Sequence, residues 1–179
     1  MAMTIKNKDQ RVAIFLDVQN LYHSAKNLYQ ARVNFREILK EAVAGRQLIR
    51  SFAYVVRTKT GEEKPFFDAL ANLGIEMRVK DLQEYYGGLK KADWDVGIAV
   101  DAIKTSPRVD VTVLVSGDGD YVPLVEYLKN HGIRVEVMAF GKSTSTRLRE
   151  AADEFIDLSE PQDKYILTKR GKWPIKIIK

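Results

Sequence analysis

The sequence predicts an α/β fold, a three-layer α/β/α sandwich around a mainly parallel central sheet. Two observations carry that prediction. Five short apolar runs, rich in β-branched and aromatic residues, alternate with helical patterns, as crossover connections between parallel strands require. Aspartates and hydroxyl residues then follow several of those runs directly, at the sheet edge where α/β proteins bind ligands.

The first run, Val12-Ala13-Ile14-Phe15-Leu16, is apolar at every position, which fits a strand buried on both faces. Runs over 48–56, 75–79, 109–115 and 134–140 read as the second to fifth strands. Between the first and second, Phe35, Ile38, Leu39, Ala42 and Val43 recur at helical spacing before Gly45. Phe66, Phe67, Leu70 and Leu73 do so before Gly74, and Leu124, Val125 and Leu128 before Gly132, with glycine as the stop. A further helix is expected over about 94–104, and a last one after Ser143.

A chain of 179 residues, 45% hydrophobic and 30% charged, fits one domain and is neither disordered nor fibrous. It has no cysteine, hence no disulfide, thiolate metal site or cysteine nucleophile. His23 and His131 stand far apart, so a zinc site built on a histidine pair is not expected. No apolar run approaches the length of a membrane span, and the expectation is a soluble, cytoplasmic protein without a membrane partner.

The net charge of +5 is uneven. Six basic residues and no acid lie between Lys164 and Lys179. Taking those six from 29 leaves 23 basic against 24 acidic residues over positions 1–163, a net of −1. We therefore divide the chain into a domain over 1–160 and a basic extension over 161–179. The extension could form a hairpin around Gly171. Either it is a solvated or dimer-packing tail, which leaves room for a homodimer, or an RNA-binding arm with Tyr165 and Trp173 stacking on bases.

Asp17 follows the first strand; Asp118 and Asp120 follow the fourth in Ser116-Gly117-Asp118-Gly119-Asp120-Tyr121; residues 142–146 follow the fifth. Gathered carboxylates repel one another, and a fold that gathers several normally does so around a hard cation such as Mg²⁺ or Mn²⁺. Each aspartate also has an ordinary reading. Asp120 and Asp93 could be helix caps and Asp118 a turn residue. Asp101 interrupts an apolar stretch, so it needs a partner or a cation. A step of about 100° per residue keeps Asp93, Asp95 and Asp101 from all pointing one way. We place Asp95 at the metal edge and Asp101 behind it, acting through a ligand or held by another partner.

Other chemistries fail on single residues. Gly141-Lys142-Ser143 could end a P-loop, but Glu136 stands where its first glycine belongs. Gln19 replaces the second aspartate of a haloacid-dehalogenase-type phosphatase motif. No nucleophile elbow of the form G-x-S-x-G occurs, nor a G-x-G-x-x-G after the first strand.

Four segments together resemble the NYN domain family, in the LabA-like branch of the PIN-like nucleases. They are Phe15-Leu16-Asp17-Val18-Gln19-Asn20, Lys91-Ala92-Asp93-Trp94-Asp95-Val96, Val100-Asp101-Ala102 and the Ser116–Tyr121 run. The resemblance covers about residues 12–158. It implies a PIN-like sandwich, a Mg²⁺ or Mn²⁺ site and metal-dependent hydrolysis of RNA phosphodiesters. Asp17, Asp95, Asp118 and Asp120 match the family's acidic residues, and Asn20 its polar residue after the first strand. Lys91-Ala92 stands where the family has lysine-glycine.

On this reading Asp17, Asp95 and Asp118 hold the metal and Asp120 orients the attacking water. Asn20 contacts substrate or fixes Asp17, and Lys91 steadies the phosphate. Ser143 and Thr144, with Lys142 and Arg147 alongside, would cradle a phosphate at a helix start. The partner would be RNA, single-stranded in the first instance. A non-catalytic nucleotide- or RNA-binding module and a small-molecule phosphatase are the alternatives.

Overall fold

The computed structural model describes residues 6–84 and 90–167. The elements run β1 (Arg11–Asp17), α1 (Val18–Tyr29), β2 (Arg32–Val33), α2 (Phe35–Val43), β3 (Gln47–Arg57), α3 (Lys64–Asn72), β4 (Glu76–Asp81) and the hairpin strands β5 (Gln83–Glu84) and β6 (Lys90–Lys91). Then come α4 (Asp95–Thr105), β7 (Val111–Val115), α5 (Val122–Asn130), β8 (Arg134–Ala139), α6 (Thr146–Ala151), β9 (Glu154–Asp157), α7 (Gln162–Tyr165) and β10 (Ile166–Leu167).

Six strands form one parallel sheet in the order β4-β3-β1-β7-β8-β9. Alternation along β1 divides the core in two. Val12, Ile14 and Leu16 face α1, α2 and α3. Ala13 and Phe15 face α4, α5 and α6. The fully buried Val12, Ile14, Phe15 and Leu16 each contribute about 1.5–3 kcal/mol, so β1 anchors both layers. The expected stops at Gly74 and Gly132 are left-handed, with φ of +79° at each, a conformation that glycine adopts without strain.

The expected sandwich is observed, with two additions. Val18, Leu21, Tyr22 and Ala25 form the buried stripe of α1, a helix the sequence reading passed over. The four-residue β9 adds a sixth strand. The chain also returns after α6: Tyr165 and Ile166 join the core beside α2, and Ile166–Leu167 pairs antiparallel with β2. This corrects the view of Tyr165 as a base-stacking group, since it is 3% exposed. Lys164 is paired with Glu41. The hairpin expected around Gly171 lies outside the described residues. Among the described residues, no helix is long and apolar enough to cross a membrane.

Candidate metal centre at the sheet switch point

From β1 the chain builds the sheet outward through β3 and β4, then returns to β7 on the opposite flank. The crevice at such a reversal, beyond the carboxyl ends of the strands, is where open α/β sheets bind ligands. Asp17 ends β1, and the segment from Ser116 to Asp120 follows β7.

Asp17 is 7% exposed and caps α1, its Oδ1 accepting from the Asn20 amide at 3.1 Å. Its Oδ2 accepts from the Ser116 hydroxyl at 3.1 Å and lies 3.3 Å from the Tyr121 hydroxyl. Burial pushes this carboxyl up to about 6, against the pull of those donors, and the nearby Asp95 charge adds to the rise. The Asn20 side chain accepts from the Gly117 amide at 2.9 Å, fastening the start of α1 to the loop after β7. That oxygen therefore acts on the protein's own loop.

After β7, Asp118 Oδ1 accepts from the Asp120 amide at 2.9 Å and caps a short 3-10 turn, Gly119–Tyr121. The turn-residue reading of Asp118 holds alongside its place at the site, because one oxygen suffices for the cap. Asp120 is not the cap of α5; it stands exposed at the rim. The glycines here admit the loop after β8. A Cβ at Gly117 would lie 3.0 Å from Thr144 Oγ1, and one at Gly119 would lie 2.7 Å from Ser145 Oγ.

Asp95 opens α4, and Trp94 sets that start. The indole N–H donates to the Val55 carbonyl at 2.9 Å, and the ring covers Gly97, where a Cβ would come within 2.6 Å. Trp94 is the cap residue, so Asp93 does not cap this helix. Asp95 Oδ1 lies 3.1 Å from the Tyr121 hydroxyl. Burial raises its carboxyl, as do the charges of Asp118, Asp93 and Asp120.

One carboxylate oxygen from each of Asp95, Asp118 and Asp120 lies within 4.8 Å of the others, Asp95 and Asp118 half-buried and Asp120 exposed. Asp17 stands behind this trio, its oxygens taken up by protein donors. An all-oxygen donor set of this size fits a hard divalent cation. Asp101 is held elsewhere. It accepts from the Tyr54 hydroxyl at 2.9 Å and pairs with Arg78 at 3.2 Å, so its partners are β3 and β4 rather than the acid group.

The phosphate cradle does not form as expected. The amides of Ser143, Thr144 and Ser145 donate to Phe140, Gly141 and Gly117 carbonyls. The Thr144 hydroxyl donates to Phe140 O at 2.8 Å, and the Ser143 hydroxyl lies 2.8 Å from Ser24 Oγ. These groups lock the loop; Lys142 and Arg147 remain exposed beside it. Lys91 lies on β6, with its side chain outside the described residues. Sequence reasoning overlooked Tyr121 and Trp94 as site-building residues. A cavity of about 420 Å³ between α1, α2 and α3 is walled by Val18, Phe35, Phe66 and Leu70 and is mainly apolar. It does not include the acid group.

The NYN domain model matches residues 11–159. The chain is 27% identical over 164 residues to the low amplitude and bright protein LabA of Synechococcus elongatus, covering 86% of each. It is 26% identical to an uncharacterised protein of Methanocaldococcus jannaschii, covering 85% of this chain and 57% of that one. A crystal structure of a protein of unknown function from Vibrio parahaemolyticus superposes with a TM-score of 0.82 at 30% identity. That match covers 92% of this chain and all of the other.

Proposed function

This chain belongs to the NYN domain family, and from that premise we propose that it is a metal-dependent ribonuclease hydrolysing RNA phosphodiester bonds at the switch-point aspartates. The observation that carries the proposal is the convergence of Asp95, Asp118 and Asp120 oxygens within 4.8 Å at a half-open edge. Asp95 and Asp118 would hold Mg²⁺ or Mn²⁺ with Asp120 at the exposed side. When bound, such an ion supplies a nucleophilic water at neutral pH and neutralises charge developing on phosphate. Asp120, at the rim, would orient the attacking water. Asp17 braces the group from behind, and Asn20 fixes the loop carrying Asp118 to α1. Lys142 and Arg147 attract the flanking phosphates of a strand.

Half-exposed acids at an open edge favour an extended substrate over a small phosphoester, which calls for a closed pocket with convergent polar groups. The test is incubation of labelled single-stranded RNA with Mn²⁺, with Asp118→Asn as control. Loss of substrate with the unmodified protein alone is expected. Intact RNA in both, while RNA is still retained, would establish a binding module instead.

A further inference from the structure

The Tyr121 hydroxyl sits between Asp17 Oδ2 at 3.3 Å and Asp95 Oδ1 at 3.1 Å. The residue is 2% exposed, which leaves little room for water to replace it. A phenol has one hydrogen to donate, so the two carboxylates share a single donor. The three residues belong to three separate elements: the end of β1, the turn after β7 and the first turn of α4. The turn after β7 that carries Tyr121 also carries Asp120 and is capped by Asp118, both members of the acid group.

We propose that Tyr121 is a positioning residue, transmitting the fixed placement of buried Asp17 to Asp95 and so setting where Asp95 meets a divalent cation. Ser116 also serves Asp17, at 3.1 Å, but has no contact of this kind with Asp95, so the bridge belongs to the phenol. Removing the hydroxyl leaves the ring to fill its buried space while freeing Asp95 to swing. Outer partners of metal ligands commonly govern affinity by about 10- to 100-fold. This inference rests on the metal-site reading above.

The experiment measures Mn²⁺ affinity by the loss of the free-ion EPR signal, with melting temperature recorded for every variant. Tyr121→Phe is expected to weaken Mn²⁺ binding by about 10- to 100-fold. Asp17→Asn should weaken it by the same route, so that the double variant is no worse than the poorer single one. Ser116→Ala should weaken it less than Tyr121→Phe. Unchanged affinity in Tyr121→Phe, with only a lower melting temperature, would overturn the proposal and leave a structural hydroxyl. So would additive losses in the double variant, or an equal loss in Ser116→Ala. If the unmodified protein binds no Mn²⁺, the metal-site reading fails and takes this one with it. Binding that is lost in Asp118→Asn but kept in Tyr121→Phe defeats this inference alone.

Discussion

The two edges of the sheet handle charge in opposite ways. At the amino edge, Arg46 grips Glu136 through two hydrogen bonds of 2.8 Å, with both side chains fully buried. Arg134 and Lys6 lie at 3.2 and 3.9 Å from the same carboxylate, and both also reach Glu154. Burial pushes the Glu136 carboxyl up, yet Arg46, Lys6 and Arg134 together hold it below its ordinary value. At the carboxyl edge the aspartates receive hydroxyl and amide donors, and the charges acting on Asp95 are the like ones of its neighbours. Charge is balanced where it serves only the fold. It is left unbalanced at the edge where the proposed cation would bind, and perturbed carboxyls of this kind tend to mark functional sites.

The sharpest way to break this contrast is to remove a cation from the balanced end. Arg46→Met leaves Glu136 buried without its main partner and should cost about 3–5 kcal/mol in urea unfolding. A loss below about 1 kcal/mol would mean that Arg134 and Lys6 suffice, and that the amino edge is no tighter than a surface pair.

The opposite edge should respond to pH. The folded Asp17 carboxyl lies at about 6 against an ordinary 3.8, so between those values the folded state holds more protons than the unfolded one. Stability of the metal-free protein should therefore fall as pH rises through that window, by about 3 kcal/mol in all. Asp17→Asn should flatten that fall in urea titrations at successive pH values; an unaltered slope would assign it to other groups.

Supplying the missing counter-charge should have the converse effect. Mn²⁺ at 100 times its dissociation constant should stabilise the protein by about 2.7 kcal/mol. In Asp118→Asn the gain should vanish, while metal-free stability equals or exceeds that of the unmodified protein because like charges are relieved. Lower metal-free stability would give the capping role of Asp118 the greater weight. The smallest effect belongs to the exposed Arg11–Asp110 pair, at 2.7 Å. The Arg11 guanidinium holds this carboxyl down to about 2, so its contribution is present above about pH 4 and fades as pH falls toward 2. Solvent screening limits it, and Asp110→Asn should cost less than about 1 kcal/mol in the same unfolding assay.

Much of the layer pattern was legible because apolar runs and glycine stops are local signals. α1 escaped although Val18, Leu21, Tyr22 and Ala25 recur at helical spacing. Its intervening Gln19, Asn20, His23 and Ser24 dilute the pattern, and Asp17 was read only as a site residue when it is also the cap. β9 is four residues long with an acid at each end, too short to show a period. Asp17 and Asp118 could be placed at the site from their positions after strands. The bridge through Tyr121 could not, because its acceptors lie 26 and 104 residues away in sequence. Glu136 appeared only as a missing glycine, since the arginine that explains it is 90 residues distant.

The strand order bears on how the protein is made. Val12 of β1 pairs with Leu48 on one side and with Val111 on the other. During synthesis the first neighbour emerges early, whereas the second follows several seconds later at roughly 5–20 residues per second. For that interval the apolar core of β1 presents an open hydrogen-bonding edge, the kind of edge that recruits other chains. The central place that lets β1 anchor both layers of the core thus also leaves it open to mispairing until residue 111 arrives.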